Sequence, residues 1–222
     1  MRKHRVLYST YLGGNLLDEA FGITLDTAGN VYITGRTAST NFPVTTGAYD
    51  TSWNGGVDAF VTKLNPAGTG LVYSTYLGGS AADVSEAITL DKFGNIIITG
   101  DTMSADFPIT SDAYDTSYNG DWDIIISQIN PSGASLIYST FFGGTGYDMV
   151  ANSVFVNSYG YVYLTGLTNS WDFPITPYAL DTIVNGSYDG FVSVLSTPEP
   201  TIVESAYWSL YDQMESESAE KQ

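Results

Sequence analysis

The strongest constraint on the fold of this chain is an internal repeat with a spacing of 65 residues. The segment YSTYLGG occupies residues 8–14 and returns at 73–79, and the related YSTFFGG occupies 138–144. A period of this length indicates that each unit contributes one supersecondary motif to a repeat architecture. We therefore expect a single repeat domain over residues 1–196, with units at about 6–70, 71–135 and 136–196.

Each unit has the pattern of four short strands. In the second unit we expect them near residues 85–90, 95–100, 123–129 and 136–142, with equivalents about 65 residues away. These runs are rich in Ile, Val, Tyr and Thr and are bounded by Gly, Pro, Asn and Asp, which is typical of strands joined by turns. The second and third strands are apolar on both faces, which favours sheets packed between neighbouring sheets. The sequence predicts an all-β fold whose four-stranded antiparallel repeats are arranged as the blades of a β-propeller.

A long connection joins the second and third strands of every unit. It covers 22 residues, at 36–57, 101–122 and 167–188. Ordinary propeller blades take about 40–45 residues in all, so this connection holds most of the surplus. We expect it to be ordered, because each copy carries an aromatic residue before a Pro and a second large side chain further on. The first anchors are Phe42, Phe107 and Phe173, and the second are Tyr49, Tyr114 and Leu180.

These motifs together resemble the SBBP family, a β-propeller repeat of bacterial and archaeal surface and secreted proteins. The resemblance covers about residues 6–196 and rests on YSTYLGG, AITLDKFGNIIITG and TMSADFP with their counterparts. The third copy departs from the pattern at Tyr161, where the others have Asn, and at Leu180. The resemblance implies a β-propeller scaffold at an extracellular or cell-surface location, and it implies no defined enzyme activity.

The order of the strands is permuted along the chain. The first YSTYLGG is a fourth strand without the three strands that should precede it, and the last unit ends after its third strand, at 190–195. We expect residues 6–12 to complete the last blade by N-terminal strand closure. Propellers usually have 4–8 blades, so three blades are too few for a ring. The pairing is therefore expected between two chains in a homodimer, unless the chain is part of a longer multi-repeat protein.

The segment after the repeats, residues 197–222, has a different character. TPEPT ends the repeat, and TIVESAYWSLYDQM predicts a short helix that Thr201 and Glu204 would begin as a capping box. An acidic tail follows. We expect the helix to pack on the rim of the propeller; the alternative is a segment that docks a partner through Trp208.

Charge and composition exclude several classes of protein. The net charge of −17 opposes sequence-independent binding to nucleic acid and docking on anionic membranes. No apolar run is long enough to insert into a membrane. The absence of Cys excludes disulfides and zinc–thiolate sites. No signal peptide is visible, because the residues after the basic MRKHR are interrupted by polar side chains and already belong to the repeat.

Two sets of residues are candidates for a binding site. The long connection and the loop after YSTYLGG should lie on the same face of each blade, and this face collects six carboxylates. They could bind calcium through oxygen ligands, or each could cap its own loop through backbone N–H groups. The candidates are Asp18, Asp58, Asp83, Asp123, Asp148 and Asp189. The aromatic side chains that could stack on a ligand at this face are Trp53, Tyr118, Trp122 and Trp171.

These features favour a binding protein over an enzyme. His4 is the only His and lies outside the repeats, which argues against a Ser-His-Asp site. Every Asp pair recurs in each unit, whereas active sites are generally single, so we assign no catalytic residue. We expect a binding or scaffold domain for a protein or polysaccharide ligand, with no cofactor except a candidate calcium ion. The alternative is a carbohydrate-active enzyme that uses Asp carboxylates.

Overall fold

The computed structural model describes residues 4–197, which form antiparallel sheets and contain no helix. Three sheets follow one another along the chain. Sheet I consists of β1 (Asp18–Leu25), β2 (Val31–Thr37), β3 (Asp58–Leu64) and β4 (Leu71–Leu77). Sheet II consists of β5 (Asp83–Leu90), β6 (Ile96–Thr102), β7 (Asp123–Ile129) and β8 (Leu136–Phe142). Sheet III consists of β9 (Asp148–Val156), β10 (Tyr161–Thr168) and β11 (Asp189–Ser196). The predicted all-β class is confirmed.

Sheet II is buried on both faces, as the apolar pattern of its strands predicts. Successive side chains of a strand point to opposite faces. Ile96 and Ile98 accordingly pack into a core shared with sheet I, while Ile97 packs into a core shared with sheet III. Ile125 and Ile126 divide in the same way on β7. The three sheets are thus layered in chain order, and their first strands β1, β5 and β9 lie next to one another.

The long connections are held against their own sheets by hydrogen bonds and buried rings. The Thr45 N–H donates to the carbonyl of Ser74 on β4 at 3.0 Å, and the Tyr76 N–H donates back to the carbonyl of Asp50. The same bonds recur in sheet II, from Thr110 to Ser139 and from Phe141 to Asp115. Burial confirms the first set of predicted anchors, Phe42, Phe107 and Phe173.

The second set of predicted anchors is correct only for the first loop. Tyr49 packs against the core between sheets I and II, and its N–H donates to the carbonyl of Gly133 at 2.8 Å. Tyr114 and Leu180 are exposed instead. The difference has a structural cause. Tyr49 is covered by the turn between β7 and β8 of the next sheet. Within residues 4–197, sheet III has no fourth strand and so no such turn to cover Tyr114, and no further sheet follows to cover Leu180.

Sheet III departs from the four-stranded prediction. Among residues 4–197 it has three strands, in the order β11-β10-β9, so β11 forms an edge. The expected closure by residues 6–12 does not occur within a single chain: residues 4–17 form no strand. Tyr8 packs over Gly68 in sheet I, whereas β11 lies in sheet III on the far side of sheet II.

Some expectations concern parts of the chain outside this description. The predicted helix over residues 201–214 and the acidic tail lie outside the described residues. Within residues 4–197 we find no helix with the length and apolar character that crossing a membrane requires.

Candidate functional site

All six candidate Asp residues have one hydrogen bond in common. Each accepts, through one carboxylate oxygen, the backbone N–H of the residue four positions earlier, at 2.7–2.8 Å. The donors to the Asp residues at the start of β1, β5 and β9 are Gly14, Gly79 and Gly144. The donors to those at the start of β3, β7 and β11 are Asn54, Asn119 and Asn185. Each of these side chains therefore caps the loop that leads into its own strand.

The Asp at the start of the first strand is also held by hydroxyl groups. Asp83 accepts hydrogen bonds from Thr102 and from Ser104, the latter at 2.9 Å. The residue before the donor must be Gly, because a Cβ on Gly78 would lie 2.8 Å from Asp83 Oδ2. The two glycines of YSTYLGG thus let the loop backbone approach the carboxylate closely.

The Asp at the start of the third strand in sheets I and II, like Asp148 at the start of β9, has one carboxylate oxygen without a hydrogen-bond partner. Asp58 and Asp123 are completely buried, and Oδ1 of each has no hydrogen-bond partner. Burial raises the pKa of Asp58 to about 7, with further increases from the charges of Asp83 and Asp50, while the Asn54 N–H lowers it. Burial likewise raises the pKa of Asp123 to about 6, with a contribution from the charge of Asp148. Both carboxyls therefore change charge near neutral pH.

The structure joins four of the six candidate carboxylates in two pairs, each across two neighbouring sheets. A Cβ on Gly78 would lie 2.8 Å from Asp83 Oδ2 and 3.2 Å from Asp58 Oδ1, so one glycine separates the two carboxylates. Asp123 and Asp148 occupy the same positions between sheets II and III. Asp18, at the start of β1, and Asp189, at the start of β11, lie at the two ends of the series of sheets. The described residues hold no group of three or more His, Cys, Asp or Glu suited to a metal ion.

A polar cavity lies on this face between sheets I and II. Its volume is about 460 Å³, and its residues come from both long loops and from the loop between β4 and β5. Tyr49 supplies an aromatic wall, and Asp50 and Asp106 supply carboxylates. The full lining is Tyr49, Asp50, Asn54, Gly78, Gly79, Ser80, Asp106 and Pro108. Such a site can accept hydrogen bonds from hydroxyl groups and offer a ring for stacking.

The four predicted stacking residues have different surroundings. Trp53 is half-buried against the ring cluster of sheet I, and the Tyr118 hydroxyl donates to the carbonyl of Asp121 at 2.8 Å. Trp122 contacts the ring of Tyr147 edge-on, with 6.4 Å between ring centres. Trp171 is 84% exposed. The structure does not bring these four residues together.

Sequence reasoning missed the polar residue that precedes each Phe-Pro. Asn41, Asp106 and Asp172 accept backbone N–H groups from the loop after the glycine pair, at 2.8–3.0 Å. Hydrogen bonds to Ser80 hold the pKa of Asp106 below its usual value, and bonds to Thr145 do the same for Asp172. The signal was present, since this position is Asn or Asp in all three copies.

Comparison with known proteins agrees with this repeated geometry. No curated protein is significantly similar to the chain. The family model of the SBBP β-propeller repeat matches residues 7–43 and 72–108. Both matches run from YSTYLGG through the Asp cap and the first hairpin to the Phe-Pro anchor. The chain therefore contains two segments that match the SBBP β-propeller repeat.

Proposed function

We propose that this chain is a non-enzymatic β-propeller scaffold of a cell-surface or secreted protein, with each sheet as one blade of about 65 residues, and that it binds polysaccharide on the long-loop face. The observation that carries the proposal is the polar cavity between sheets I and II. The family resemblance supports the location.

The chemistry of the cavity favours a neutral polysaccharide. Asp50 and Asp106 can accept hydrogen bonds from sugar hydroxyls, Asn54 can both donate and accept, and Tyr49 can stack on an apolar sugar face. The net charge of −17 repels acidic polysaccharides at long range. The same lining offers little apolar surface of the kind that anchors a protein partner.

The positions of the carboxyls with raised pKa argue against glycoside hydrolysis. A general acid must touch the glycosidic oxygen. Asp58 and Asp123 have the raised pKa that such an acid needs, but both are completely buried. The carboxylates that do line the cavity include Asp106, whose pKa lies below its usual value. This arrangement supports binding without turnover.

The carboxylate pairs also support a bound calcium ion. Asp58 Oδ1 is buried without a hydrogen-bond partner beside Asp83, and a hard cation would satisfy this oxygen. Two carboxylates do not complete a calcium site, so backbone carbonyls and water would supply the remaining ligands. Loop capping accounts for the other oxygen of Asp58, and both oxygens of Asp83 already accept hydrogen bonds.

A screen against immobilised polysaccharides tests the proposal. We expect binding by the wild-type protein, a loss of at least about tenfold in affinity for Tyr49→Ala, and no change for Tyr114→Ala. Tyr114 is the equivalent residue of sheet II but does not line the cavity, so it is a matched control. Release of reducing ends from any bound polysaccharide would establish the enzyme alternative instead. An equal effect of the two substitutions would exclude this cavity as the site.

A further inference from the structure

The outer edge of sheet III exposes side chains that are buried in the other two sheets. Val192 on β11 is 81% exposed, whereas its counterparts Val61 and Ile126 are 0% exposed. Beside this edge lies a cavity of about 580 Å³ between β11 and the third long loop. Within residues 4–197, no strand pairs with the free edge of β11.

In sheets I and II the same position is filled by the last strand of the sheet. β4 pairs with β3 along its whole length, and the Ser74 and Thr62 hydroxyls are 2.7 Å apart across the pair. In sheet II the Ser139 and Ser127 hydroxyls are 2.8 Å apart. Tyr76 packs against the ring of Phe42, with 6.0 Å between ring centres. The residues that contact the last strand in sheet I have sequence counterparts in sheet III. These counterparts are Thr176, Asp181, Ser193, Phe173 and Phe191.

Within residues 4–197, one copy of the missing strand sequence pairs with no other strand. Residues 8–14 have the same sequence, YSTYLGG, as residues 73–79, of which 73–77 lie in β4. Tyr11 is fully exposed, whereas its counterparts Tyr76 and Phe141 are 1% exposed. Residues 8–14 therefore have every side chain of the strand that fills this position in sheet I, and they pair with no strand in the part of the chain that the structure describes.

Residues 8–14 lie against sheet I in the position that the last strand of a preceding sheet would occupy. The ring of Tyr8 lies over Gly68, which has a φ of +68°, and the ring of Tyr73 lies over Gly133, which has a φ of +74°. In both cases a Cβ on the glycine would overlap the ring. Tyr8 therefore packs on sheet I as Tyr73 of sheet I packs on sheet II.

We propose that residues 8–14 of one copy of this chain insert as the fourth strand beside β11 of a second copy, so that sheet III of one chain packs on sheet I of the other. The exchange in both directions gives six sheets in two chains, which is within the usual range for a closed propeller. A third chain would give nine sheets and exceed that range. The partner is thus a second copy, and the interface is the unpaired edge of sheet III.

The resident strands predict the contacts across this interface. Ser9 of one copy should meet Ser193 of its partner, as Ser74 meets Thr62. Tyr11 should pack against the stacked rings of Phe173 and Phe191, whose centres are 4.7 Å apart, as Tyr76 packs on Phe42 and Phe60. Asp18 and Asp189 should then form the same inter-sheet carboxylate pair as Asp58 and Asp83.

Cysteine cross-linking of the full chain tests this register, since the chain has no Cys of its own. We expect Ser9→Cys/Ser193→Cys to form a disulfide-linked dimer under mild oxidation, visible on a non-reducing gel. Thr10→Cys/Ser193→Cys is the matched control and should form at least tenfold less, because alternate residues of a strand face opposite ways. Thr62→Cys/Ser74→Cys is the positive control. It should form an internal disulfide, which would show that the geometry of this residue pair permits the bond.

Three outcomes would overturn the proposal. A monomer of Ser9→Cys/Ser193→Cys whose two introduced thiols form an internal disulfide would mean that the chain closes on itself. If Ser9→Cys/Ser193→Cys and Thr10→Cys/Ser193→Cys cross-link to the same extent, the disulfides arise from random collisions between molecules. If the first pair cross-links only after residues 198–222 are removed, the edge of β11 is covered by the chain's own C-terminal segment.

Mixing the Ser9→Cys and Ser193→Cys single variants should give a dimer that contains one of each.

Discussion

At the scale of single residues, the buried carboxyls couple stability to pH. The pKa of Asp58 is raised to about 7, above its ordinary value of 3.8, so between about pH 4 and pH 7 the folded protein keeps a proton that the unfolded chain has released. The free energy of unfolding should therefore fall as pH rises through this window, by at most about 1.4 kcal/mol per pH unit for this group. The stabilisation that this retained proton provides is complete below pH 4 and lost above pH 7.

Asp58→Asn should remove this decline, because an amide carries no charge at any pH and its oxygen can still accept the Asn54 N–H. Chemical unfolding at several pH values should show the variant gaining stability relative to wild type from pH 4 to pH 7. The exposed Asp112→Asn is the control, since its carboxyl lies away from the inter-sheet pairs. Parallel pH profiles for all three proteins would contradict the burial argument.

A bound calcium ion would reverse the sign of this pH dependence. The ion needs deprotonated carboxylates, and a ligand selective for the folded state stabilises it by about 2.7 kcal/mol at a hundredfold excess over its dissociation constant. We expect millimolar calcium to raise the Tm of the chelator-treated wild type at pH 7.5. The double variant Asp58→Asn/Asp123→Asn should show no such rise. If the Tm of the wild type does not change either, the six Asp residues serve only as loop caps.

At the scale of elements, each long connection is anchored by one buried ring before a Pro. Phe107 is buried in the core between sheets I and II, so Phe107→Ala should lower the free energy of unfolding by about 3–5 kcal/mol. Phe93→Ala removes a partly exposed ring from a turn and should cost about 0.5 kcal/mol or less. Denaturant titration of both variants measures the difference. Similar losses would show that the Phe107 ring does not anchor its loop.

The strands and the first set of anchors could be predicted because their signals are local. The alternation of Ile96, Ile97 and Ile98 between two cores follows from their neighbours in sequence, and the position of Phe107 before Pro marks an anchor. The pairing of residues 6–12 with β11 could not be settled in this way, since it depends on contacts between distant segments. The sharing of Asp58 and Asp83 across two sheets was likewise visible only once the sheets were packed.

At the scale of the whole molecule, the series of three sheets exposes apolar side chains at both of its ends. Sheet III presents Phe155, Val192 and Val194 to solvent, and the start of sheet I presents Ile23 and Leu25. Apolar patches of this kind mark interaction surfaces. Joining the two ends would bury both, as the two faces of sheet II are buried already. The net charge of −17 on each copy opposes the approach of a second copy at long range.

These two opposing effects predict how salt acts on the dimer. Screening shortens the range of the repulsion to about 10 Å at 0.1 M salt and leaves the apolar contacts intact, so the dimer fraction should rise with salt. Tyr11→Asp should give a folded monomer at every salt concentration, because Tyr11 is fully exposed in a single copy and needed only in the exchange. Tyr178→Asp alters an equally exposed ring in the third long loop, at a position whose counterpart Gly47 has nothing within 4 Å of an added Cβ, and it should dimerise like the wild type. Sedimentation velocity at two salt concentrations measures all three proteins. A dimer of Tyr11→Asp as stable as that of Tyr178→Asp would mean that the two copies associate through another surface.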